Sequence, residues 1–231
     1  MRKFYKMSMG IATAGLLVAG MTACSMDSNT PAENPSASAP ASEEAADPTP
    51  IASIPALDGV DTQVTLDQGF VDALTSLKLT PGVTGDATLV DGALHFPITG
   101  GNVDYYDPAE KYRPYVQGEI DHEGSGITLS NADESIVVGL SDFVIDPGTS
   151  RLTGTVTANG EKVADDVFIF NLDGSTLNPL ETDSDGNAVL EGTTVLISSD
   201  AAALLNKTFG TDAVTDTLVV GIAKITAKAA E

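Results

Sequence analysis

The sequence predicts a mainly β protein, an antiparallel two-sheet β-sandwich with two short helices. Three observations lead to this fold class. Short runs of β-type residues recur along the chain from about residue 60, Gly, Asn and Asp turns separate them at short spacing, and only two segments place apolar residues at helical spacing. Many short strands with such turns between them are typical of antiparallel sandwiches and barrels.

The predicted strands begin with a hairpin. In ATLVDGALHFPIT, the pair Asp91-Gly92 separates two apolar-alternating runs, which is a short-range hairpin signal. The other predicted strands are YVQGEIDH, GITLS, SIVVGLSDFVID, RLTGTVTA, DVFIFNL, AVLEGTTVLIS and LVVGIAKITA.

Two short helices interrupt the β pattern. In TLDQGFVDALTSLKL, apolar residues recur at helical spacing, and Thr65 or Asp67 is a candidate N-cap. In ISSDAAALLNKTFG, Ser198 or Ser199 is a candidate N-cap and Gly210 a candidate C-terminal cap. We expect both helices to flank or plug one sandwich.

The N-terminus has the features of a bacterial lipoprotein signal. Residues 1–23 contain a basic start, an apolar stretch too short for a bilayer span, and small residues that lead into Cys24, the only cysteine of the chain. The tetrapeptide MTAC resembles a lipobox, so we expect Cys24 to carry acyl chains such as palmitate. Two chains give stable attachment, which predicts an extracytoplasmic protein anchored to the bacterial cell membrane.

Domain organisation follows from composition. Residues 24–58 are rich in Pro, Ala, Ser and Glu and contain no Lys or Arg, which is typical of a disordered linker. We expect this linker to hold the domain off the membrane as a semi-rigid stalk. Residues 59–231 are enough for one β-sandwich domain with a substantial core.

The charge balance excludes one class of partner. The chain has 33 Asp and Glu against 11 Lys and Arg, a formal net charge of −22. An acidic surface without a basic, aromatic-interleaved patch repels nucleic acid and anionic lipid head groups. The acidity is either a solubility device or an attraction for divalent cations or basic partners.

No constellation for catalysis is found, so we expect a protein that is not an enzyme. The pair His122-Glu123 begins like the zinc motif HExxH, but residue 126 is Gly. His95 alternates with apolar neighbours and is expected on the opposite strand face. No GxSxG elbow, GxGxxG loop or Walker loop is present.

A calcium site is a weaker alternative, for which the candidate ligands are Asp183, Asp185, Asn187 and Glu191. An EF-hand loop needs Gly at its sixth position, whereas Gly186 is the fourth residue here. The Asp-Gly pair between two extended segments instead favours a hairpin turn.

Four of the five tyrosines lie in the segment VDYYDPAEKYRPYVQ: Tyr105, Tyr106, Tyr112 and Tyr115. Tyrosines on loops favour binding surfaces, and a phenolate is a ligand of ferric haem iron. The other interpretation is a loop that its rings hold over a sheet edge.

The order of segments resembles the haem-transport-associated (Hta-type) domain of secreted and membrane-anchored bacterial proteins. The resemblance rests on LHFPITGGNVD, GEIDHEGSGITLS, ESIVVGLSDFVID with RLTGTV, and the late AAALLNKTFG helix. It implies a two-sheet sandwich in which a helix tyrosine ligates haem and the histidine of a GxxxH strand supports that tyrosine. Gly118 and His122 match the ends of that motif.

One departure from the family pattern leaves the role of His122 open. The first helix, DQGFVDALTSLKL, contains no tyrosine. His122 is therefore a hydrogen-bonded residue retained at a strand end, a haem residue with a loop tyrosine substituting as ligand, or a turn residue without a functional role.

We expect a membrane-anchored binding protein of the cell surface. The first hypothesis is haem or iron capture through His122 and the tyrosine segment. The alternative is a cofactor-free module for cell-envelope interaction or adhesion, which has lost the haem ligand.

Overall fold

The computed structural model describes residues 48–110 and 114–230, which contain thirteen strands and two α-helices. A 3₁₀ turn, Gly174–Thr176, is also present. The helices are α1 (Gln68–Leu77) and α2 (Ser199–Phe209). The strands are β1 (Ala52–Ile54), β2 (Leu57–Leu66), β3 (Thr80–Gly85), β4 (Thr88–Val90), β5 (Ala93–Pro97), β6 (Gly100–Tyr105), β7 (Val116–Ser130), β8 (Val137–Asp146), β9 (Arg151–Ala158), β10 (Glu161–Asp173), β11 (Glu181–Thr182), β12 (Ala188–Ile197) and β13 (Val219–Ala229).

All strands pair in an antiparallel manner, as predicted, but they form one hydrogen-bonded sheet instead of two. The strand order is β1-β6-β7-β8-β9-β10-β12-β13-β2-β5-β4, with β3 beside β7 and β11 beside β12. The pairs β10–β12, β12–β13 and β13–β2 make the hydrogen-bonded ladder continuous from β10 to β2.

The sheet folds over so that its two halves face each other across a common core. The ring of Phe96 on β5 packs edge-on against Phe143 on β8, with ring centroids 5.4 Å apart. His122 on β7 is hydrogen-bonded to Thr62 on β2. Contacts between strands so distant in the sheet order require two facing layers, and the layered packing of the predicted sandwich is therefore present within one sheet.

Both helices begin at a predicted N-cap residue, and α2 also ends at the predicted C-terminal residue. Asp67 caps α1, because its Oδ1 accepts a hydrogen bond of 2.8 Å from the N–H of Gly69. Ser198 caps α2 by accepting from the N–H of Ala201 at 3.0 Å. Gly210 closes α2 in the left-handed conformation, at φ 66°.

Strand β7 corrects one detail of the sequence analysis. The glycines near His122 suggested a turn between YVQGEIDH and GITLS, but one strand of 15 residues runs through both. A β-bulge absorbs the interruption: Gly124 has φ 74°, and its N–H donates to Oδ1 of Asp142 at 3.0 Å. Strand β7 therefore pairs with β6 along its first half and with β3 along its second half.

The N-terminal assignments lie partly outside the described residues. Strand β1 and the first residues of β2 fall within the segment 24–58 that was expected to be a linker. The predicted signal peptide and Cys24 precede residue 48. In the described part of the chain, no helix has both the length and the apolar character needed to cross a membrane.

Candidate functional site

A cavity of about 720 Å³ lies between the facing halves of the sheet. Its walls come from β7 and β8 on one side and from β10, β12 and β13 on the other, with the 3₁₀ turn at one end. The volume falls within the range of about 300–1,000 Å³ that is typical of small-molecule sites. Exposed lining residues, such as Pro114 and Ser175, show that the cavity opens to solvent.

The walls of this cavity are mainly apolar, since strand alternation places one face of each strand against the core. Among the lining residues, Ile120 is 1% exposed, which shows how far the walls extend into the protein. A few polar groups interrupt the apolar surface. The apolar lining includes Val116, Ile120, Ile145, Leu172, Leu177, Leu190, Leu196, Ala223 and Ile225, and the polar lining Ser150, Asn171, Asp173, Ser175 and Thr193.

Asp173 is the one formally charged side chain among the described lining residues. It is exposed and therefore lies at the opening of the cavity. Its Oδ1 accepts from the N–H of Ser175 at 2.9 Å. Hydrogen bonds from the side chain and backbone of Ser175 lower the pKa of Asp173 below its ordinary value, so this group is a carboxylate at neutral pH.

Tyr115 is the one predicted tyrosine that lines this cavity within the described residues. Its hydroxyl donates to the carbonyl oxygen of Gly174 at 3.4 Å, and its ring stands edge-on to Tyr105, with centroids 6.0 Å apart. This hydroxyl group is therefore held close to the 3₁₀ turn at the end of the cavity.

The other three tyrosines occupy different positions. Tyr105 is buried, and its hydroxyl accepts a long hydrogen bond, 3.5 Å, from the N–H of Leu180. Tyr106 lies beside Pro48 in a separate surface depression. Tyr112 lies outside the described residues. The predicted tyrosine cluster is thus distributed over several environments.

His122 is 1% exposed and fully hydrogen-bonded to the protein. The carbonyl oxygen of Phe143 lies 3.3 Å from Nδ1, and the hydroxyl of Thr62 lies 2.8 Å from Nε2. A neutral ring with a proton on Nδ1 satisfies both contacts, because Nε2 then accepts from Thr62. Burial lowers the pKa of His122 to about 4, while the hydrogen bond to Phe143 opposes the shift.

His122 lines a second, much smaller cavity of about 40 Å³. Ile145, Leu172 and Ala223 line both cavities and so form the wall between them. Helix α1 contributes Phe70 to the lining on the His122 side. The structure therefore places His122 and Tyr115 in different cavities, and it places a phenylalanine where the first helix approaches the histidine.

The candidate calcium residues lie around the hairpin turn between β11 and β12. Oδ1 of Asp183 accepts from the N–H groups of Asp185 and Asn187, at 2.9 and 2.8 Å, and Oδ2 accepts from the Asn187 side chain at 2.9 Å. These bonds, led by those from Asn187, lower the pKa of Asp183. Glu191 lies farther along β12, with its carboxylate 4.0 Å from the ammonium of Lys224. The predicted hairpin is confirmed.

The remaining histidine, His95, does not line either cavity. His95 is on the outer face of β5, as expected, with Nδ1 2.6 Å from Oδ2 of Asp61. Across the described residues, no three His, Cys, Asp or Glu side chains come close enough together to hold a metal ion.

Sequence reasoning missed two residues of these sites, Thr62 and Asp173. Thr62 belongs to β2, whose alternation in VDTQVTL is a strand signal that the analysis overlooked. Asp173 precedes Gly174, a pair that on its own indicates only a turn. Its position at the opening of a cavity depends on the curvature of the sheet, for which no local sequence signal exists.

Comparison with known proteins gives matches among solved structures only. No family model matches the chain, and no curated protein matches it. The fold is similar to the crystal structure of the C-terminal domain of HtaA from Corynebacterium glutamicum, with 14% identity and a TM-score of 0.49, over 76% of this chain and 97% of that chain. A domain-swapped dimer of a histidine-to-alanine variant of the same domain matches with 15% identity and a TM-score of 0.45, over 69% of this chain and 90% of that chain.

The similarity to these two structures is one of backbone fold.

Proposed function

We propose that this domain is a non-catalytic binding module that encloses a small, mainly apolar molecule between the two halves of its sheet. The observation that carries the proposal is the cavity of about 720 Å³, which combines apolar walls with a few polar groups and an opening to solvent. Enclosed apolar surface with a small number of polar groups is the usual composition of a ligand site. By contrast, the cavity beside His122, about 40 Å³, has room for little more than one water molecule.

Haem is the first ligand that we propose for the cavity. The residues present fit this group, because the apolar walls suit a macrocycle and Tyr115 supplies a phenol at the cavity surface. A phenolate oxygen is a known ligand of ferric haem iron. Tyr115 would hold the iron, and the walls formed by Ile120, Leu172 and Leu190 would enclose the ring. His122 would take no part as a ligand, since it lines the separate cavity of about 40 Å³ and not the large one.

The cellular location of the protein forms part of the same proposal. Acylation of Cys24 would anchor the chain to the extracytoplasmic face of a bacterial membrane, and the Pro-rich segment after it would act as a stalk. The apolar cavity would then be displayed to molecules that arrive from outside the cell.

A haem titration followed by absorbance tests the proposed ligand. The full chain carrying Cys24→Ser, which cannot be acylated, should give a saturable shift of the Soret band near one equivalent. Tyr115→Phe should weaken the shift, whereas the matched control Tyr105→Phe should leave it unchanged, because Tyr105 does not line the cavity. Equal effects of the two substitutions, or no saturable shift, would contradict the assignment of Tyr115.

A cofactor-free role in cell-envelope interaction is the second candidate function. It is favoured by Phe70, because the helix that approaches the cavity of His122 presents an aromatic ring without a hydroxyl group there. In this case haem would not bind, and immobilised protein should retain an envelope protein or glycan above the level of a control domain. Absence of such retention would count against this candidate.

A further inference from the structure

The charges around the large cavity indicate which ligands it accepts. We infer that the cavity selects uncharged apolar groups against anionic ones, and that Asp173 is the residue that sets this selectivity. This inference rests on the proposed binding role of the cavity, but it does not require the ligand to be haem. It applies to the enclosed part of a ligand, so a molecule with carboxylates on one edge, such as haem, fits only with that edge in solvent.

The cavity lining has one formal charge among its described residues. Among the described lining residues, Asp173 is negatively charged and none is positively charged. A carboxylate, sulfonate or phosphate inside the cavity would lose its hydration without gaining an ionic partner, which is unfavourable in an apolar environment. It would also have to pass the carboxylate of Asp173 at the opening, where repulsion is added.

Two cationic residues, Lys224 and Arg151, are neighbours in the described sequence of residues that line the cavity. Lys224 lies between the lining residues Ala223 and Ile225, and strand alternation directs it to the outer face of β13. There its ammonium lies 4.0 Å from Glu191. Arg151 follows the lining residue Ser150, but its guanidinium lies over the ring of Phe168, 4.6 Å from the centroid. Both cations are directed away from a bound ligand.

The cavity lining also contains uncharged polar groups. Thr193 and Asn171 line the cavity and offer a hydroxyl and an amide, which can form hydrogen bonds with a carbonyl, hydroxyl or amine of a neutral ligand. The lining therefore accommodates dipoles, while its described residues offer an anion no cationic partner. The chemical class that fits best is an apolar, uncharged molecule with one or two hydrogen-bonding groups.

Two fluorescent probes of similar shape and different charge test the inference. N-phenyl-1-naphthylamine is uncharged, and 8-anilino-1-naphthalenesulfonate carries one negative charge. With the full chain carrying Cys24→Ser, the uncharged probe should bind with a Kd lower by about tenfold or more, as expected for an unpaired anion in an apolar site. Thr193→Phe, which fills part of the cavity, should weaken the binding of both probes.

A matched pair of variants separates the local effect from the net charge of the protein. Asp173→Asn should reduce the ratio of the two Kd values several-fold, because the amide retains the cap on Ser175 and removes the repulsion. Asp183→Asn removes the same charge from a turn outside the cavity lining and should leave the ratio unchanged. Equal changes in both variants would show that net charge sets the preference, which would overturn the role of Asp173.

The remaining outcomes distinguish this inference from the proposed function. Equal affinities for the two probes in the parent protein, both weakened by Thr193→Phe, would overturn the charge selectivity and leave the binding role intact. If neither probe binds, the cavity does not accept small apolar molecules, and the proposed function fails together with the inference.

Discussion

The burial of His122 predicts that this domain loses stability in mild acid. The pKa of His122 is lowered to about 4 in the folded protein, against 6.5 for the ordinary side chain. As the pH falls below 6.5, the unfolded chain binds a proton that the folded chain does not bind. The ionisation of His122 therefore leaves the free energy of unfolding unchanged above pH 6.5. Below pH 6.5, this free energy decreases progressively as the pH falls towards 4.

The size of this effect follows from the shift. Each pKa unit corresponds to about 1.4 kcal/mol, so a shift from 6.5 to about 4 destabilises the folded state by about 3 kcal/mol at the acid end. Domains are commonly stable by about 5–15 kcal/mol, which makes this loss a large part of the total. A loss of about 2 kcal/mol by pH 5 should be measurable in urea before the carboxylates, whose ordinary pKa values lie near 4, are protonated.

Urea unfolding at several pH values between 7 and 4.5, followed by circular dichroism, measures this loss. His122→Gln should flatten the dependence on pH, because the amide keeps a donor and an acceptor but does not titrate. His95→Gln is the matched control, since His95 lies on the outer face of β5, and this variant should retain the acid sensitivity of the parent protein. Parallel curves for the parent and His122→Gln would refute the assignment of the acid sensitivity to His122.

The remaining predictions concern stability and are measured as free energies of unfolding in urea at pH 7. Thr62→Val should cost about 1–3 kcal/mol, because Nε2 of His122 is left buried without a donor, and a double variant that also carries His122→Leu should lose less than the sum of the single changes. Gly101→Ala should cost at least about 2 kcal/mol, since φ is 113° and the added Cβ would lie 2.0 Å from the carbonyl oxygen of Glu119. Ser198→Ala should cost about 1 kcal/mol through loss of the cap of α2, and a change below a few tenths would contradict that role.

Local features of the fold were predictable because adjacent residues determine them. Asp91 and Gly92 both adopt positive φ, 49° and 80°, as the hairpin between β4 and β5 requires. The caps Asp67 and Ser198 and the C-terminal Gly210 were identified from short-range signals alone. Each of these features depends on hydrogen bonds within a few residues, so the sequence nearby contains the necessary information.

Features that depend on distant strands were not predictable in the same way. The glycines after His122 are compatible with a turn or a bulge, and the N–H of Gly124 is satisfied by Asp142, 18 residues away. The partner of His122, Thr62, is 60 residues distant. The cavity likewise exists because the sheet folds over, and its lining is collected from five strands. Residue types at each position indicate burial, but not which buried positions leave a space between them.

The place of β13 in the sheet has a consequence for how the domain comes to be folded. This strand is the last in the chain, yet it lies between β12 and β2 and bridges the early and late parts of the sequence. Until β13 is paired, β2 and β5 have no ladder that connects them to β10 and β12. The sheet therefore becomes continuous only when β13 pairs with both neighbours, and its pairing with β2 has a large sequence separation and forms slowly.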